Sequence, residues 1–390
     1  MNAPAAAPVP RLEVPTDFGF TEEHGLLRSE ARRFLAERLP IAEVRRHVDA
    51  GLRFDPSLWK EIAQLGWLGL VMDERHGGAG LGWLHLEILM EEMGRRLVPG
   101  PFLGTLLAGI ALERAGDERQ CARWCPALAA GEAVATLALV EPDSGFEPAD
   151  PTATADPVPG GFVLRGRKAH VVGASDASLL LAPFREPSGR ASLFVVEIPA
   201  SGVSIEDEVT IDPTRPTSRV AFEGVRVASE ARLAGDGADA LAAVIVHGAA
   251  ALAAEQVGGA ESVLAMTRDY AVARKQFDRP IGFFQAVKFP IVDMMVGVEL
   301  ARSLAVAAAA ALDHDPASPT GEALARMAKA SASDAYLFAV RKGVQLHGGY
   351  GFTWDCDVHL YFRRALWSRP MLGDAIHHRR RLAALLLGGP

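Results

Sequence analysis

The 390-residue sequence predicts an α+β fold with an N-terminal helical domain, a middle antiparallel β domain and a C-terminal helical bundle. Three observations predict it. Apolar residues recur at spacings of three and four from Phe18 to Leu128. From Gly131, short runs rich in Val, Leu and Phe follow one another at roughly ten-residue spacing, separated by Gly, Pro, Ser and Asp. From Asp236 the helical period returns and lasts to the end. Helices, then strands, then helices, without βαβ alternation, argue against a Rossmann sheet. The expected boundaries are a flexible arm at 1–17, the first helical domain at 18–130, the β domain at 131–234 and the second helical domain at 235–390.

Taken in order, "EEHGLLRSEARRFLAERL" carries apolar residues at Leu26, Leu27, Ala31, Phe34 and Leu35. "DPSLWKEIAQLGWLGLVMDE" opens with Asp55 and Pro56 as a helix start, and then Trp59, Ile62, Leu65 and Leu68 share a stripe. "ERHGGAGLG" is a glycine-rich loop, after which "WLHLEILMEEMGRRL" restarts a helix. The strand candidates are "AVATLALVEP", "GGFVLRGRKAHVVGA", "ASLLLAPF", "ASLFVVEIP", "GVSIEDEV" and "SRVAFEGVRV". The late helices are expected at Asp239–Ala273, Phe283–Leu312, Pro319–Leu346 and Ala375–Leu387, with Pro290 kinking the second. Met294 and Met295, with Val292, Val296 and Leu300, read most simply as core.

Composition excludes several classes. Hydrophobic content of 49% supports a large core, and a net charge of −8 disfavours nucleic acid as a partner. "MNAPAAAPVPRLEVPTD" has no basic start and no apolar core of signal length, so a cytoplasmic protein is expected. The most apolar stretch, Ala240 to Ala254, is interrupted by His247 and Gly248. It reads as a buried helix too short to span a membrane. The three cysteines suit a reducing compartment. Cys121 and Cys125 share a helix face at i,i+4, but two thiols without a nearby His make a poor zinc site, so no metal is expected.

No G-x-G-x-x-G follows a strand, and no Walker loop, G-x-S-x-G elbow or H-E-x-x-H occurs. Two constellations remain. "YAVARKQFDRPIGFFQ" sets Arg274, Gln276, Phe277 and Gln285 around a helix end. An arginine fork suits pyrophosphate and a ring suits a flat ligand, although Arg and Lys are also favoured at any helix C-terminus. "QLHGGYGF", with Gln345, Gly348 and Gly349, permits close backbone approach to a ligand or simply ends a helix. "HHRRRLA", His377 to Ala383, is a basic helix that suits a solvated face or a phosphate.

Together these motifs resemble the acyl-CoA dehydrogenase family over nearly the whole chain. The resemblance is carried by "LGWLGLVMDERHGGAGLG", "ALVEPDSG", "GRKAHVVGASDAS", "YAVARKQFDRPIGFFQAV" and "VQLHGGYGFTWDCDVHLYFRRA". The C-terminal motifs look most like the bacterial branch of steroid and bile-acid side-chain degradation, whose members often pair two different subunits. The resemblance implies FAD-dependent α,β-dehydrogenation of an acyl-CoA thioester. A glutamate base takes the α-proton, the β-hydride passes to the flavin, and an electron-transfer flavoprotein reoxidises it. It further implies a tetramer, either a homotetramer or an α2β2 heterotetramer with a related chain. Arg274, Gln276, Phe277, Gln285, Gln345, Gly348 and Gly349 would reach the FAD of a neighbouring subunit.

The residues expected around this chain's own flavin depart from the pattern. Val140 and Phe146 stand where the family has a Thr and a Ser. His170, Val171 and Val172 replace a Trp-Ile-Thr, so His170 can stack on a flavin but Val172 has no hydroxyl to donate. Counted from Gln345, the usual Glu position is Leu372. Counted back from Tyr270, a second subgroup's Glu position is Gly248, with Ala249 where an Arg often meets coenzyme A. Asp374 is the carboxylate nearest the first position, and Glu255 lies two turns from the second. Three functions follow: an active flavoenzyme on a bulky acyl-CoA with another base, a non-catalytic partner subunit that completes another chain's FAD site, or a flavin oxidase or monooxygenase on the same fold.

Overall fold

The computed structural model of the protein describes residues 18–142, 148 and 150–388, so the expected arm at 1–17 and Phe146 lie outside it. The first helices are α1 (Glu22–Arg38), α2 (Ile41–Asp49), α3 (Pro56–Gln64), α4 (Trp83–Arg95), α5 (Phe102–Ala115) and α6 (Glu118–Ala129). The strands follow as β1 (Ala135–Leu137), β2 (Thr154–Val158), β3 (Gly161–Val172), β4 (Leu179–Arg185), β5 (Ala191–Glu197), β6 (Val203–Asp207) and β7 (Thr217–Ala228). Then come α7 (Gly237–Ala273), a hairpin of β8 (Lys275–Gln276) and β9 (Arg279–Pro280), α8 (Gln285–His314), α9 (Pro319–Leu346), α10 (Val358–Ser368) and α11 (Ala375–Leu387).

The chain divides into two compact units. One holds residues 42–82 and 99–245. Its α3 starts as expected, with Asp55 accepting from the Ser57 N–H at 2.8 Å and Pro56 in the first turn. The helix stops at Gln64, however, because Gly66 takes φ +73°, and Leu65 turns outward instead of joining the stripe. The sheet runs β1-β4-β2-β3-β7-β6, with β5 on β4. It is antiparallel except that β1 pairs in parallel with β4, Ala135 opposite Leu179, and β2 touches β4 at Thr154–Arg185. Helix α5 covers β1, where Thr105 Oγ1 donates to the Ala135 carbonyl at 3.1 Å. In the sheet, Lys168 is fully buried and donates to Glu141 Oε1 at 2.8 Å and to the Pro183 carbonyl at 2.8 Å. Burial opposes ionisation of Glu141, but donors on Lys168, Thr152 and Ala153 hold its carboxyl down to about 2.

The other unit comprises, of the described residues, 18–41, 83–98 and 246–388. Here α1 packs on α4, α4 on α8, α8 along α9, and α9 against α10 and α11. Helices α4 and α7 cross with their backbones touching. A methyl added at Gly94 would sit 1.9 Å from the Glu255 carbonyl oxygen, and one at Gly258 1.9 Å from that of Glu91. Beside this crossing, Glu87, Glu91 and Glu92 of α4 are buried among Arg28, Arg32, Arg95 and Arg302. Burial first, and then the Glu91 charge, push the Glu87 carboxyl up to about 8.

Two sequence expectations need correction. The apolar Ala240–Ala254 stretch, expected to be too short to span a bilayer, lies within α7, which runs 37 residues over the expected Asp239–Ala273 helix, and His247 stacks on Trp83 with ring centroids 4.5 Å apart. By length and composition α7 and α8 are each long enough to cross a bilayer, yet the Ala249–Ala254 stretch of α7 is spent on internal packing. On α8 only Met294 of the expected core set is buried. Val292, Met295, Val296 and Leu300 are exposed, because this helix has a wide apolar face of which its own chain covers a part.

Candidate functional site

In the second-described unit, α7 ends at Ala273 and the chain turns at once through the β8–β9 hairpin. Phe277 and Asp278 at its tip adopt φ +53° and +60°. Arg274, Gln276 and Phe277 are all exposed, Phe277 to 84%, and Gln285 is exposed at the first turn of α8. The Arg274 N–H donates to the Tyr270 carbonyl at 2.8 Å and its carbonyl accepts from Ile281 N–H at 2.8 Å, so the backbone is held while the guanidinium stays outside. Helix α9 ends beside this hairpin. Tyr270 stacks on His347 at 4.4 Å and faces Tyr350 at 6.0 Å. Gln345, Gly348 and Gly349 are exposed there. Gly348 has φ +62°, and a methyl on either glycine would meet nothing within 4 Å. The fold thus joins two motifs about seventy residues apart into one open surface. It offers a fork for pyrophosphate, an exposed ring for a base, two amides and bare backbone, and this set fits the adenosine and pyrophosphate half of FAD.

The same unit contains the two positions where the family's base is expected. Leu372 is buried, with φ +58°, followed by Gly373 at +97°. Asp374 does not face the same way. Its Oδ1 caps α11 by accepting from the His377 N–H at 2.8 Å, and that hydrogen bond lowers its pKa. A capped, more acidic carboxylate is a weaker proton acceptor. Gly248 is buried inside α7 and carries no side chain. Glu255 pairs with Arg364, both fully buried, as an internal ion pair.

Sequence reasoning missed Lys329. It is fully buried on α9 and donates to Ser333 Oγ at 3.0 Å and to the carbonyls of Ser368, Arg369 and Gly373 at 3.3, 3.1 and 3.4 Å. Gln256 links Ser368 Oγ at 3.0 Å and Ser333 Oγ at 3.1 Å into the same network. Together they pin the 368–373 turn that presents Leu372. Burial lowers the Lys329 ammonium to about 7.

In the first-described unit, Val140 is bridged to Ala169, and Val172 is buried with its carbonyl accepting from Thr136 Oγ1 at 2.6 Å. His170 sits at a bulge of β3 with φ +55°, its ring mostly exposed, and Nδ1 lies 3.0 Å from Glu208 Oε2. It can present a ring face. Neither valine has a side-chain donor for a flavin.

The sequence pattern of the acyl-CoA dehydrogenase N-terminal domain matches residues 21–132, and that of the acyl-CoA dehydrogenase C-terminal domain matches 235–387. The chain belongs to the acyl-CoA dehydrogenase family. Acyl-CoA dehydrogenases are FAD-dependent oxidoreductases, and FAD is the cofactor of the fold seen here. A curated relative, acyl-CoA dehydrogenase IpdE2 of Mycobacterium tuberculosis, is 34% identical over 95% of this chain and 99% of its own. Among solved structures, the Tcur3481-Tcur3483 steroid ACAD variant has TM-score 0.85 and 32% identity, over 96% of this chain and 99% of that one. The ChsE4-ChsE5 complex from Mycobacterium tuberculosis has TM-score 0.87 and 28% identity, over 96% and 100%. The acyl-CoA dehydrogenase resemblance read from the motifs is therefore correct, and so is the helical, β, helical order.

Proposed function

We propose that this chain is one subunit of an acyl-CoA dehydrogenase tetramer that introduces a double bond into a bulky, steroid-like acyl-CoA thioester. It lends its Arg274 and Gly348–Gly349 surface to an FAD whose base comes from a second, related chain. The observation that carries this reading is a contrast within one unit. The Arg274–Phe277 grip is exposed, while the usual base position is a buried Leu372 whose neighbour Asp374 is committed to a helix cap. Structural neighbours described as a steroid ACAD and as a two-protein complex support the substrate class and the pairing. The FAD, when bound, accepts the hydride. Arg274 would neutralise pyrophosphate charge, Phe277 would offer its ring to the adenine, and Gly348–Gly349 would offer N–H groups. Leu372 fills the base position without a proton-accepting atom, and in this reading the α-proton leaves to a carboxylate of the partner subunit. An electron-transfer flavoprotein is the expected oxidant, and the expected compartment is the cytoplasm.

The test is to purify the chain alone and after co-expression with a related acyl-CoA dehydrogenase chain. Bound flavin is read at about 450 nm, and bleaching is followed on adding a steroid-like acyl-CoA. We expect little flavin in the chain alone and a yellow, substrate-bleached mixed complex. A yellow assembly of this chain alone that bleaches with acyl-CoA would make it an autonomous enzyme. In the mixed complex, Arg274→Ala should weaken FAD about tenfold or more, the loss of one charge-assisted contact. Unchanged flavin retention would remove Arg274 from the site.

A further inference from the structure

The sequence expectation that Cys121 and Cys125 lack a histidine partner is overturned by the fold. A ring nitrogen of His76 and the sulfurs of Cys121 and Cys125 lie within 4.8 Å of one another, all three residues buried. Cys121 and Cys125 are one turn apart on α6 and project from one face. His76 ends the short turn 74–76, whose start is capped by Asp73 and whose end is Gly77 at φ +83°. These elements belong to the same unit.

We infer that His76, Cys121 and Cys125 form a binding site for a borderline-soft divalent cation of the zinc type, with Glu118 as the fourth ligand. The donor set is the first argument, since two thiolates and an imidazole are a combination that zinc selects. Spacing is the second. Metal–sulfur and metal–nitrogen bonds of about 2.3 and 2.0 Å in a tetrahedron put donors roughly 3.5–3.8 Å apart, and the three donor atoms here already lie within 4.8 Å of one another. The histidine is the third. It is 94% buried, its Nδ1 lies 3.3 Å from Glu113 Oε1, and its Nε2 makes no hydrogen bond. Glu113 is itself held by the Asp73 N–H at 2.8 Å. A carboxylate on one ring nitrogen with the other left free is how a metal-ligating histidine is oriented. The Nε2 atom lies 3.6 Å from Glu118 Oε2, too far for a hydrogen bond but within the motion of an exposed side chain. Access is the fourth. A pocket of about 590 Å³, lined by Asp73, Glu74, Arg75, His76 and Glu113 among others, opens beside the ring, and its carboxylates favour cation entry.

Without metal, burial raises both thiols above their ordinary range, and Cys121 donates weakly to the Leu112 carbonyl at 3.4 Å. Binding therefore breaks two S–H bonds and forms two metal–thiolate bonds, with both protons going to solvent. No redox change occurs. The bound ion ties the 74–76 turn to α6.

The experiment uses the full chain, in complex with its partner if that is how it is obtained. It is stripped with a chelator and titrated with zinc against a chromophoric competitor, and separately with cobalt. We expect one tightly held zinc per chain, about two protons released per zinc in weak buffer, and a thiolate-to-cobalt charge-transfer band. Cys121→Ser with Cys125→Ser should abolish the band and the tight zinc while helical circular dichroism is retained. Glu113→Gln should weaken zinc 10- to 100-fold. A cobalt spectrum of the unmutated protein without the thiolate band would overturn the site outright, whatever the variants do. Tight zinc that persists in the double variant would overturn it too, as adventitious binding at other histidines.

Discussion

At the residue scale, the proposed partner role rests on a few side chains whose chemistry is visible in the sequence and whose orientation is not. Leu372 is readable as the absence of a base, but the commitment of Asp374 to a cap needed its 2.8 Å contact with the His377 N–H. Lys329 was illegible for a different reason. A lysine in "ARMAKASASDAY" has a solvated face as its default, and only the carbonyls of Ser368, Arg369 and Gly373 arriving from another segment make its burial tolerable. The consequence is a pH dependence. Folding lowers the Lys329 pKa from 10.5 to about 7. Below about 7 the lysine is protonated in both states and its contribution is flat. Between 7 and 10.5 the unfolded chain binds the proton and the folded chain does not, so stability rises with pH, by at most about 1.4 kcal/mol per unit. Denaturant midpoints measured from pH 7 to 9 should show a shallower rise in Lys329→Met than in the parent. Parallel slopes would mean that Lys329 keeps its ordinary titration in the folded protein.

At the scale of elements, boundaries were largely legible because caps and periodicity agree. Helix α9 occupies the expected Pro319–Leu346 and α11 the expected Ala375–Leu387. Contacts between elements were not, because a glycine inside an apolar helix looks like a weak helix former whether or not another backbone lies against it. Gly94 and Gly258 are where α4 and α7 touch, each with a carbonyl oxygen 1.9 Å from a would-be methyl. No flexible side chain can yield there, so the helices must move apart. Gly258→Ala should cost about 3 kcal/mol or more and disturb the adjacent Glu91–Arg95 pairing. Gly25→Ala is the matched control, on α1 with nothing within 4 Å of the added methyl. It should stabilise by roughly 0.5–1 kcal/mol through helix propensity alone. If both changes shift the unfolding midpoint alike, the close crossing is not what holds α4 to α7.

At the scale of the whole molecule, the sequence displayed the apolar face of α8 but not what covers it, since periodicity reports a face and not its partner. Phe289, Val292, Val296 and Leu300 follow one another at steps of three, four and four, and all are about half exposed. They form a stripe about 16 Å long at 1.5 Å per residue. Phe283 and Phe277 continue the exposed apolar surface toward Arg274, and Tyr350, Phe352 and Trp354 add to it at the end of α9. Exposed apolar side chains in this number go beyond scattered single residues and mark an interaction surface, and several of them lie on the elements that carry the residues suited to FAD. The proposed occupant is a second subunit of the same fold, so assembly and cofactor retention should be coupled. Leu300→Glu places a charge at the far end of the stripe, remote from Arg274, where burying it under a partner would cost several kcal/mol. The variant should retain its helical circular dichroism and elute as a smaller species, with scattering mass reduced from that of the parent assembly, and it should lose flavin in the same fractions. Val296→Glu should do likewise, while Glu299→Lys, at a charged position of the same helix, should leave mass and flavin nearly unchanged. Were both stripe variants to keep the parent mass, α8 would not be the assembly face. Were mass to fall while flavin stayed bound, the FAD would belong to a single chain, and the lending role of Arg274 would fall with it.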